Sequence, residues 1–324
     1  MATRPLLIGT LAAALAATAA TAAGAATGAA APARPAAAAE ASPVGYASMN
    51  GGTTGGASGA TVTATSAAQL DSYATSSTPY TIRITGTIAV SGMQKVASDK
   101  TIIGVGSSGR ITGGGLNVSE ARNVIIRNLT FTGASDDAIN VQYSTNVWID
   151  HNDLSGGNDG LTDVKRGSDY VTVSWNHYHD HDKTALLGHS DGNAGEDLGH
   201  LRVTYAHNWF DGTGQRHPRV RFANPVHVLN NYYNDIGSYG VASTENAGVF
   251  VERNYFENVE RPTSLQEGSS DEGNIKALNN HLVDSGTPAT RNPGSVASIP
   301  YSYTPESSAT VKGTVMAGAG VGRI

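Results

Sequence analysis

Asparagine recurs along this chain at a nearly constant interval, and that interval limits the possible folds more than any other feature. The repeat positions are Asn128, Asn152, Asn176, Asn208, Asn231, Asn254 and Asn280. The steps between them are 24, 24, 32, 23, 23 and 26 residues. Each asparagine falls in a segment where apolar and polar residues alternate, such as NVWIDHNDL or LRVTYAHNWF. A strand pattern with a period in the low twenties is typical of a parallel solenoid. Equivalent residues of successive coils then lie about 4.8 Å apart, so residues one period apart become neighbours.

We predict an all-β fold, a right-handed parallel β-helix formed by residues 41–324 as a single domain. Residues 41–60 are rich in Gly, Ser and Thr and are predicted to form a loose entry segment. Residues 66–74 have helical spacing of Ala68, Leu70 and Tyr73, with a serine as N-cap. This short helix would cover the unpaired strand edges of the first coil. Opening strands are predicted within residues 81–88, 100–106 and 109–118.

Two segments depart from the repeat. The long interval between Asn176 and Asn208 places its extra length in residues 188–200, which predicts a loop on one face that borders the binding surface. The tail after residue 285 is rich in Pro, Ser and Tyr and is predicted to run back along the solenoid. The repeating asparagines are predicted to form a side-chain ladder at turns. Large aromatic residues are predicted to stack in the core: Trp148, Trp175, Trp209, Phe210, Tyr232, Tyr233, Tyr255 and Phe256.

Residues 1–40 are predicted to be an export signal and leader, because Arg4 precedes the apolar stretch LLIGTLAAALAATAA. That stretch is too short for a permanent membrane anchor, so we expect a secreted, extracellular monomer. The chain contains no cysteine, and its stability must come from a large core instead of disulfides. A net charge of −6 argues against nucleic-acid binding and predicts that an anionic substrate needs a locally basic groove.

Four charged residues repeat at the coil interval. The step from Asp137 to Asp159 is 22 residues, the step to Lys183 is 24, and the step to Arg216 is 33, which matches the long interval. These residues should lie on one face in four successive coils, two acids followed by two bases. The basic residues of this region form a local patch in the sequence: Lys165, Arg166, Lys183, Arg216, Arg219 and Arg221.

A further acid, Asp163, follows Asp159 in the segment DGLTDVK. In a straight strand the two carboxylates would be about 13 Å apart, too far for one ion, so we predict a bend at Gly160. Three carboxylates without cysteine favour a hard, oxygen-preferring ion, Ca²⁺ before Zn²⁺. The alternative is that these acids cap turns or pair with Lys165 and Arg166.

Three segments bear a family resemblance. NVWIDHNDLS (146–155), DGLTDVKRGSDYVTVSWNHYHDHDKTALLGH (159–189) and RHPRVR (216–221) resemble the secreted pectate lyases among the parallel β-helix polysaccharide lyases. The likeness extends from residues 86–88 to the segment IPYSYTPE near the end of the chain. It covers nearly all of the predicted mature protein.

The resemblance implies a role for each matching position. The family's Ca²⁺ ligands match three acids, Asp137, Asp159 and Asp163. Lys183 matches a lysine that engages the substrate carboxylate, Arg216 the proposed catalytic base, and Arg221 a substrate-binding or supporting arginine. Some relatives have another acid where this chain has Ser135, and either Asp136 or water would replace that ligand.

The implied reaction is β-elimination on polygalacturonate. Removal of the C5 proton, which is α to the C6 carboxylate, and expulsion of the C4 oxygen leave a 4,5-unsaturated sugar. Ca²⁺ and Lys183 would neutralise the carboxylate and stabilise the developing enediolate. Arginine is an unusual base because its guanidinium normally keeps its proton. Positive groups clustered around Arg216 disfavour a further positive charge, and we predict activity that rises into alkaline pH.

Three other functions fit parts of the sequence. A β-helical polygalacturonase would hydrolyse the same polymer with paired acids, and the segments SDDAI and GHSD echo its motifs. A pectin lyase would cleave a neutral, methyl-esterified polymer without Ca²⁺. A non-catalytic solenoid would bind polysaccharide and leave the acid-to-base series without a role. An unsaturated product, tested with and without chelator, separates these functions.

Five other conspicuous residues are predicted to be structural. His177, His179 and His181 alternate along one strand face, where solvated or stacked side chains are favoured over a metal site. Asp150 and His151 are offset from Asp137 by half a coil, which places them on another face.

Overall fold

The computed structural model describes residues 41–324, and the predicted export signal and leader at 1–40 lie outside the described residues. Within the described range the chain forms three parallel sheets, and each coil passes through sheet 2, sheet 1 and sheet 3 in that order. The parallel β-helix prediction is confirmed. None of the helices in residues 41–324 combines the length and hydropathy that a membrane crossing requires.

The strands are numbered in chain order. Sheet 1 contains β1 (Ala60–Ala64), β2 (Tyr80–Ile84), β5 (Lys100–Gly104), β8 (Arg122–Arg127), β11 (Thr145–Asp150), β14 (Asp169–Ser174), β17 (Val203–Ala206), β20 (Val226–Leu229), β23 (Gly248–Glu252) and β26 (Asn274–Leu278). Sheet 2 contains β4 (Met93–Val96), β7 (Gly115–Ser119), β10 (Ile139–Gln142), β13 (Thr162–Lys165), β16 (Ala185–Leu187), β19 (Arg219–Arg221), β22 (Val241–Thr244) and β25 (Thr263–Ser264). Sheet 3 contains β3 (Thr87–Ala89), β6 (Arg110–Thr112), β9 (Thr130–Thr132), β12 (Asp153–Ser155), β15 (His177–His179), β18 (Trp209–Asp211), β21 (Tyr232–Asn234), β24 (Tyr255–Glu257) and β27 (His281–Val283).

The described helices are few and short. They are α1 (Ala67–Ala74), α2 (Ala194–Asp197) and α3 (Ser308–Gly318), with 3-10 turns at Gly45–Ser48, Asp191–Asn193 and Pro293–Ser295. The predicted capping helix is confirmed as α1, and the Ser66 hydroxyl accepts the Gln69 N–H at 3.3 Å. Helix α1 buries Leu70 and Ala74 against the first coils, whereas Ala68 is exposed. The buried face therefore differs slightly from the predicted face of Ala68, Leu70 and Tyr73.

The core is a column of inward-facing side chains that stack from coil to coil. In β11, for example, Val147 pairs in register with Val124 of one neighbour and Val171 of the other, and all three are buried. On sheet 3 an aromatic stack continues the column, with ring-centroid separations of 5.0, 5.0 and 4.4 Å along Tyr178, Phe210, Tyr233 and Phe256.

Only some of the predicted core aromatics lie in that column. Trp209, Tyr232 and Tyr255 alternate with the inward-facing rings and point outward, where α3 packs against them. The strand period of two residues sends adjacent aromatics to opposite faces, so a pair such as Trp209-Phe210 cannot be buried on one side. The outward rings are covered by the C-terminal helix, which the sequence pattern did not predict.

The asparagine ladder is confirmed for six of the seven repeat positions, all at the turn between sheet 1 and sheet 3. The Oδ1 of each later asparagine accepts the backbone N–H and a side-chain N–H of the preceding one at 2.8–3.1 Å, in the series Asn152, Asn176, Asn208, Asn231, Asn254 and Asn280. Each side chain thereby satisfies buried backbone groups that the turn leaves open.

The seventh position, Asn128, is not in the ladder. Strand register aligns Arg127 with Asp150, so Leu129 takes the ladder position and its N–H bonds Asn152 Oδ1 at 3.1 Å. Asn128 instead adopts a left-handed backbone conformation, with φ of 58°, which asparagine tolerates better than most residues. The equal steps in the sequence concealed this one-residue shift.

Removal of one ladder side chain is expected to destabilise the fold strongly. Asn208→Ala would leave the Asn176 N–H, the Asn176 side-chain amide and the Val173 carbonyl without their partner in a buried turn. We expect the free energy of unfolding to fall by about 3 kcal/mol or more, since each unsatisfied buried group costs about 1–3 kcal/mol. Chemical denaturation measures this loss. Asn234→Ala, at a partly exposed position on β21, is the control, and an equal loss in both variants would contradict the ladder's role.

The entry segment is ordered against sheet 1, and the prediction that it is loose is wrong. Tyr46 and Ala47 are fully buried, and their N–H groups bond the hydroxyls of Thr204 (3.1 Å) and Thr172 (3.0 Å). A Cβ at Gly45 would lie 2.5 Å from Thr204 Oγ1, so the glycine permits a close backbone approach. In this entry segment a glycine therefore serves close packing against sheet 1, not a loose backbone.

The C-terminal tail runs back along the solenoid, as predicted. It bonds to successively earlier coils through Glu306 with Asn230, Gly320 with Trp175, and Gly322 with Asn128. The tail thereby ties the last residues of the chain to coils that lie almost two hundred residues upstream.

Candidate active site

The acid-to-base series lies on the sheet 2 side of the solenoid. Asp137, Asp159, Lys183 and Arg216 each precede one strand of four that are adjacent in sheet 2, namely β10, β13, β16 and β19. Their step in the sequence follows from the coil length, because equivalent positions of parallel coils stack.

Asp159 is the point where acids and bases meet. Its Oδ1 accepts a hydrogen bond from Lys183 Nζ at 3.1 Å and lies 4.0 Å from Arg216 Nη1. Burial alone would raise the pKa of Asp159, but the hydrogen bond and charge of Lys183, with Arg216, lower it overall. The carboxylate is therefore ionised and partly open to solvent between two cations.

Four carboxylates gather on the acidic side. Carboxylate oxygens of Asp136, Asp137 and Asp159 lie within 4.8 Å of one another, a spacing that a single cation could bridge. Asp163 is the second residue of β13 and is buried, and its Oδ1 accepts the Leu186 N–H at 3.2 Å. Burial, followed by the charge of Asp137, raises the pKa of Asp163 to about 7. A buried carboxyl that faces a second acid forms an environment that a bound cation would relieve.

Gly160 allows this convergence. The chain bends at Asn158, Asp159 and Leu161 before β13 begins, so the predicted bend is confirmed. The Gly160 N–H donates to Asp137 Oδ1 at 2.9 Å. A Cβ at this position would lie 2.2 Å from Asp163 Oδ1 and 2.9 Å from Asp137 Oδ1. The space between the two carboxylates exists because this residue has no side chain.

Lys165 also reaches the acidic group. Its ammonium lies 2.9 Å from Asp137 Oδ2 and 3.4 Å from Asp163 Oδ2. Burial would lower the pKa of Lys165, but the charges of Asp163 and Asp137 raise it overall. The positive charge of Lys165 is thus held by these carboxylates, which offer only oxygen atoms as donors. That donor set and the gap at Gly160 fit Ca²⁺.

The segment RHPRVR (216–221), which ends in strand β19, positions Arg216. Arg216 itself has φ of 65°, in the left-handed region, and the next residue, His217, is fully buried. His217 contacts the Thr213 hydroxyl at 2.8 Å, and its other ring nitrogen donates to the Tyr239 carbonyl at 2.8 Å. With its neighbour anchored, the Arg216 guanidinium lies beside Asp159, and its Nη1 is 4.0 Å from Asp159 Oδ1. Its Nε is buried and has no hydrogen-bond partner among residues 41–324.

The two other arginines of this segment lie on β19 and are tied into the surrounding structure. Arg221 is mostly buried, its Nε bonds Asp191 Oδ1 at 2.6 Å, and Asp191 lies in the inserted segment 188–200. Arg219 donates to the Glu267 carbonyl and the Ser270 hydroxyl, both at 2.8 Å. Burial, then the charge of Arg221, lowers the pKa of Arg219. The insertion therefore contacts β19, where the positive charges of Arg216, Arg219 and Arg221 lie close enough to affect one another.

A family model described as pectate lyase matches residues 6–324. This chain belongs to the pectate lyase family. It is thus a polysaccharide lyase. A probable pectate lyase B of Aspergillus terreus is 46% identical to it over 68% of this chain and 70% of the relative. Pectate lyase A of Aspergillus niger is 42% identical over 85% and 86% of the two chains. A solved pectate lyase from Bacillus sp. N165, in complex with trigalacturonate, is 35% identical with a TM-score of 0.79, covering 87% of this chain and 99% of that one.

In this pectate lyase family member the structure brings together all the site residues suggested by the sequence except Arg221, which faces Asp191 and the Gly188 carbonyl instead of the acids. Pairing with Lys165 was the alternative that the sequence left open, and Lys165 does bridge two of the acids, Asp137 and Asp163. The signal was present, since Lys165 follows Asp163 by two residues and a strand sends both to one face. Asp136, named only as an alternative, lies within the acidic group.

Four of the five residues predicted to be structural lie on other faces of this family member, whereas His181 lies beyond the end of β15 and next to the acid series, so its predicted place on that strand is wrong. Asp150 Oδ2 contacts His151 Nδ1 at 2.5 Å and Arg127 Nε at 2.7 Å, in a buried network on sheet 1. His181 donates to the Asp159 carbonyl at 2.6 Å. His177 and His179 project from sheet 3.

Proposed function

We propose that this protein cleaves de-esterified α-1,4-polygalacturonate by Ca²⁺-dependent β-elimination and releases 4,5-unsaturated oligogalacturonides. The main support is the convergence of Asp159 with Lys183 and Arg216 beside three further carboxylates. The solved relative from Bacillus sp. N165 was studied in complex with trigalacturonate, a short form of this polymer. The export signal proposed for residues 1–40 suits a secreted protein, and we propose that it acts as a monomer.

The acidic group is proposed to hold the metal ion. Asp137, Asp159 and Asp163 are the ligands expected from the sequence, and Asp136 adds an exposed carboxylate at the same place. These are hard oxygen donors, which favour Ca²⁺ over softer ions. When bound, Ca²⁺ would neutralise the substrate carboxylate and stabilise negative charge that develops on it.

Lys183 and Arg216 are proposed to act on the sugar itself. Lys183 is partly exposed beside Asp159, so its ammonium can reach a substrate carboxylate in the groove and balance its charge. Arg216 removes the C5 proton; the C4–O bond then breaks, a C4–C5 double bond forms, and water protonates the leaving oxygen. The proton must be accepted by a neutral guanidine, a form that becomes more abundant as the pH rises. Activity is therefore expected to rise with pH.

Arg221 is proposed to support the basic side of the groove. Its bonds to Asp191 and the Gly188 carbonyl connect β19 to the inserted segment. The remaining part of its guanidinium offers a positive surface for a polyanionic chain. Both contributions fit the binding or supporting role expected from the resemblance.

One experiment tests the proposed function directly. The purified protein is mixed with polygalacturonate, and the ultraviolet absorbance of unsaturated uronides is followed with added Ca²⁺ and with a chelator. We expect absorbance to rise with Ca²⁺ and to stop after chelation, and added Ca²⁺ should restore it.

The other outcomes identify the alternatives. Chain shortening with new reducing ends but no absorbance would indicate hydrolysis and a polygalacturonase. Cleavage of methyl-esterified pectin that chelation leaves unchanged would indicate a pectin lyase. Binding to polygalacturonate without shortening would indicate a non-catalytic solenoid.

A further inference from the structure

A second group of ligand-type side chains lies on the outer face of sheet 3, away from the acid-to-base series on sheet 2. Asp153 in β12 pairs in register with His177 in β15, and His179 is two residues further along the same strand. Ring nitrogens of both histidines and a carboxylate oxygen of Asp153 lie within 4.8 Å of one another. The individual contacts are 3.2 Å from Asp153 to His177 Nδ1 and 3.3 Å to His179 Nε2.

Each histidine uses its other ring nitrogen to contact a separate carboxylate. His177 Nε2 lies 3.4 Å from Asp211 Oδ2, and His179 Nδ1 lies 2.8 Å from Asp180 Oδ2. Metal-bound histidines usually donate their free N–H to a carboxylate or carbonyl, which fixes the tautomer and orients the ring. In this group both imidazoles have that outer partner and turn the opposite nitrogen to a shared Asp153.

The rings are also held in place by packing. The Trp209 indole stacks on His177 with centroids 4.2 Å apart, and His177 stacks on His179 at 4.6 Å. All three candidate ligands are partly exposed, with side-chain exposures between 20% and 27%, so an ion can reach them from solvent. The site is therefore oriented and accessible.

We propose that Asp153, His177 and His179 bind a divalent transition-metal ion, with Zn²⁺ as the representative ligand. Two imidazoles and one carboxylate are the donor set that Zn²⁺ and related ions prefer, and solvent would complete the coordination. The oxygen-only group on sheet 2 suits Ca²⁺ instead, so the two sites differ in the ion they select. This inference does not depend on the proposed function.

The local electrostatics agree with a cation at this place. The pKa of His179 is raised to about 9, first by its hydrogen bond to Asp153 and further by Asp180, although burial acts in the opposite direction. Three carboxylates, those of Asp153, Asp180 and Asp211, surround the two imidazoles.

Calorimetric titration with Zn²⁺ in the presence of excess Ca²⁺ tests the proposal, because Ca²⁺ occupies the oxygen-only group. We expect the wild-type protein to bind one equivalent of Zn²⁺. Asp153→Asn, which preserves shape, and His179→Ala should each weaken binding by more than about tenfold, the smallest loss usual for even an outer partner. His281→Ala, on the same sheet at β27, is the matched control and should bind as the wild type does.

A second readout keeps folding separate from binding. Circular dichroism and polygalacturonate cleavage should be unchanged in all three variants, and Zn²⁺ should shift the ring resonances of His177 and His179 in NMR spectra. Failure of the wild type to bind Zn²⁺ would overturn the proposal. Equal Zn²⁺ affinity in the wild type, Asp153→Asn and His179→Ala would overturn it as well.

Discussion

Replacement of Arg216 by lysine is expected to lower kcat for polygalacturonate cleavage by about a thousandfold, with a smaller effect on KM. A positioned general base typically contributes 10²- to 10⁴-fold, and the shorter ammonium cannot place a nitrogen where the guanidinium lies. Arg216 Nη1 is 4.0 Å from Asp159, at the end of a loop whose next residue is anchored by buried hydrogen bonds. The rest of the site, including Lys183 and the four acids, is left in place. Initial rates of absorbance increase at saturating Ca²⁺ measure the loss.

Arg166→Lys is the matched control for this prediction. Arg166 belongs to the same basic stretch of sequence, but its guanidinium contacts Tyr143 and Glu196 instead of Asp159. We expect near-native kcat for this variant. An Arg216→Lys enzyme with near-native turnover would contradict the role of Arg216 as the base, even if pectate cleavage itself is observed. A profile of kcat that does not rise with pH would argue in the same direction.

The sequence predicted the architecture because a solenoid turns distance along the chain into distance in space. The steps between Asp137, Asp159, Lys183 and Arg216 match the asparagine interval and predict that these residues lie in successive coils. In the structure each precedes one of four neighbouring strands of sheet 2. The same physics explains the bend at Gly160. A straight strand would hold Asp159 and Asp163 about 13 Å apart, and β13 begins only after Gly160, at Thr162.

The remaining features depend on contacts between distant segments, which a repeat does not encode. The entry segment packs because threonine hydroxyls on sheet 1 accept hydrogen bonds from its backbone, and glycine lets it approach. Helix α3 covers outward aromatics that the sequence reasoning assigned to the core. Asn128 shows where the asparagine interval fails as a guide to structure. A shift of one residue puts Leu129 in the ladder position, although the sequence interval between asparagines stays the same.

The two faces of the solenoid show how one repeat can support different chemistry. Sheet 2 presents carboxylates followed by Lys183 and Arg216 along neighbouring strands, whereas sheet 3 presents alternating histidines and aspartates from neighbouring strands. In each case a side chain is oriented by a rigid ladder of backbone hydrogen bonds beneath it. Substitutions on one face should therefore leave the other unaffected, which makes matched controls within the same protein informative.

Gly160→Ala is expected to disable the acidic group while the three sheets remain intact. The new Cβ would lie 2.2 Å from Asp163 Oδ1 and 2.9 Å from Asp137 Oδ1, closer than carbon and oxygen can approach. Asp163 cannot simply turn away, because its Oδ1 accepts the Leu186 N–H and its side chain is buried. The two carboxylates must separate, and displacement of a catalytic group by about 1 Å can cost about a hundredfold.

We therefore expect kcat/KM at limiting Ca²⁺ to fall by about a hundredfold in Gly160→Ala and the Ca²⁺ concentration for half-maximal activity to rise. Activity measured across a Ca²⁺ titration separates this effect from damage to the base, because Arg216→Lys should lose kcat at every Ca²⁺ concentration. Gly157→Ala is the control, since a Cβ there meets its nearest neighbour, Leu161, at an ordinary 3.5 Å. Wild-type Ca²⁺ dependence in Gly160→Ala would show that the gap between Asp137 and Asp163 is not where the cation binds, and the acids would then have to be assigned to structure alone.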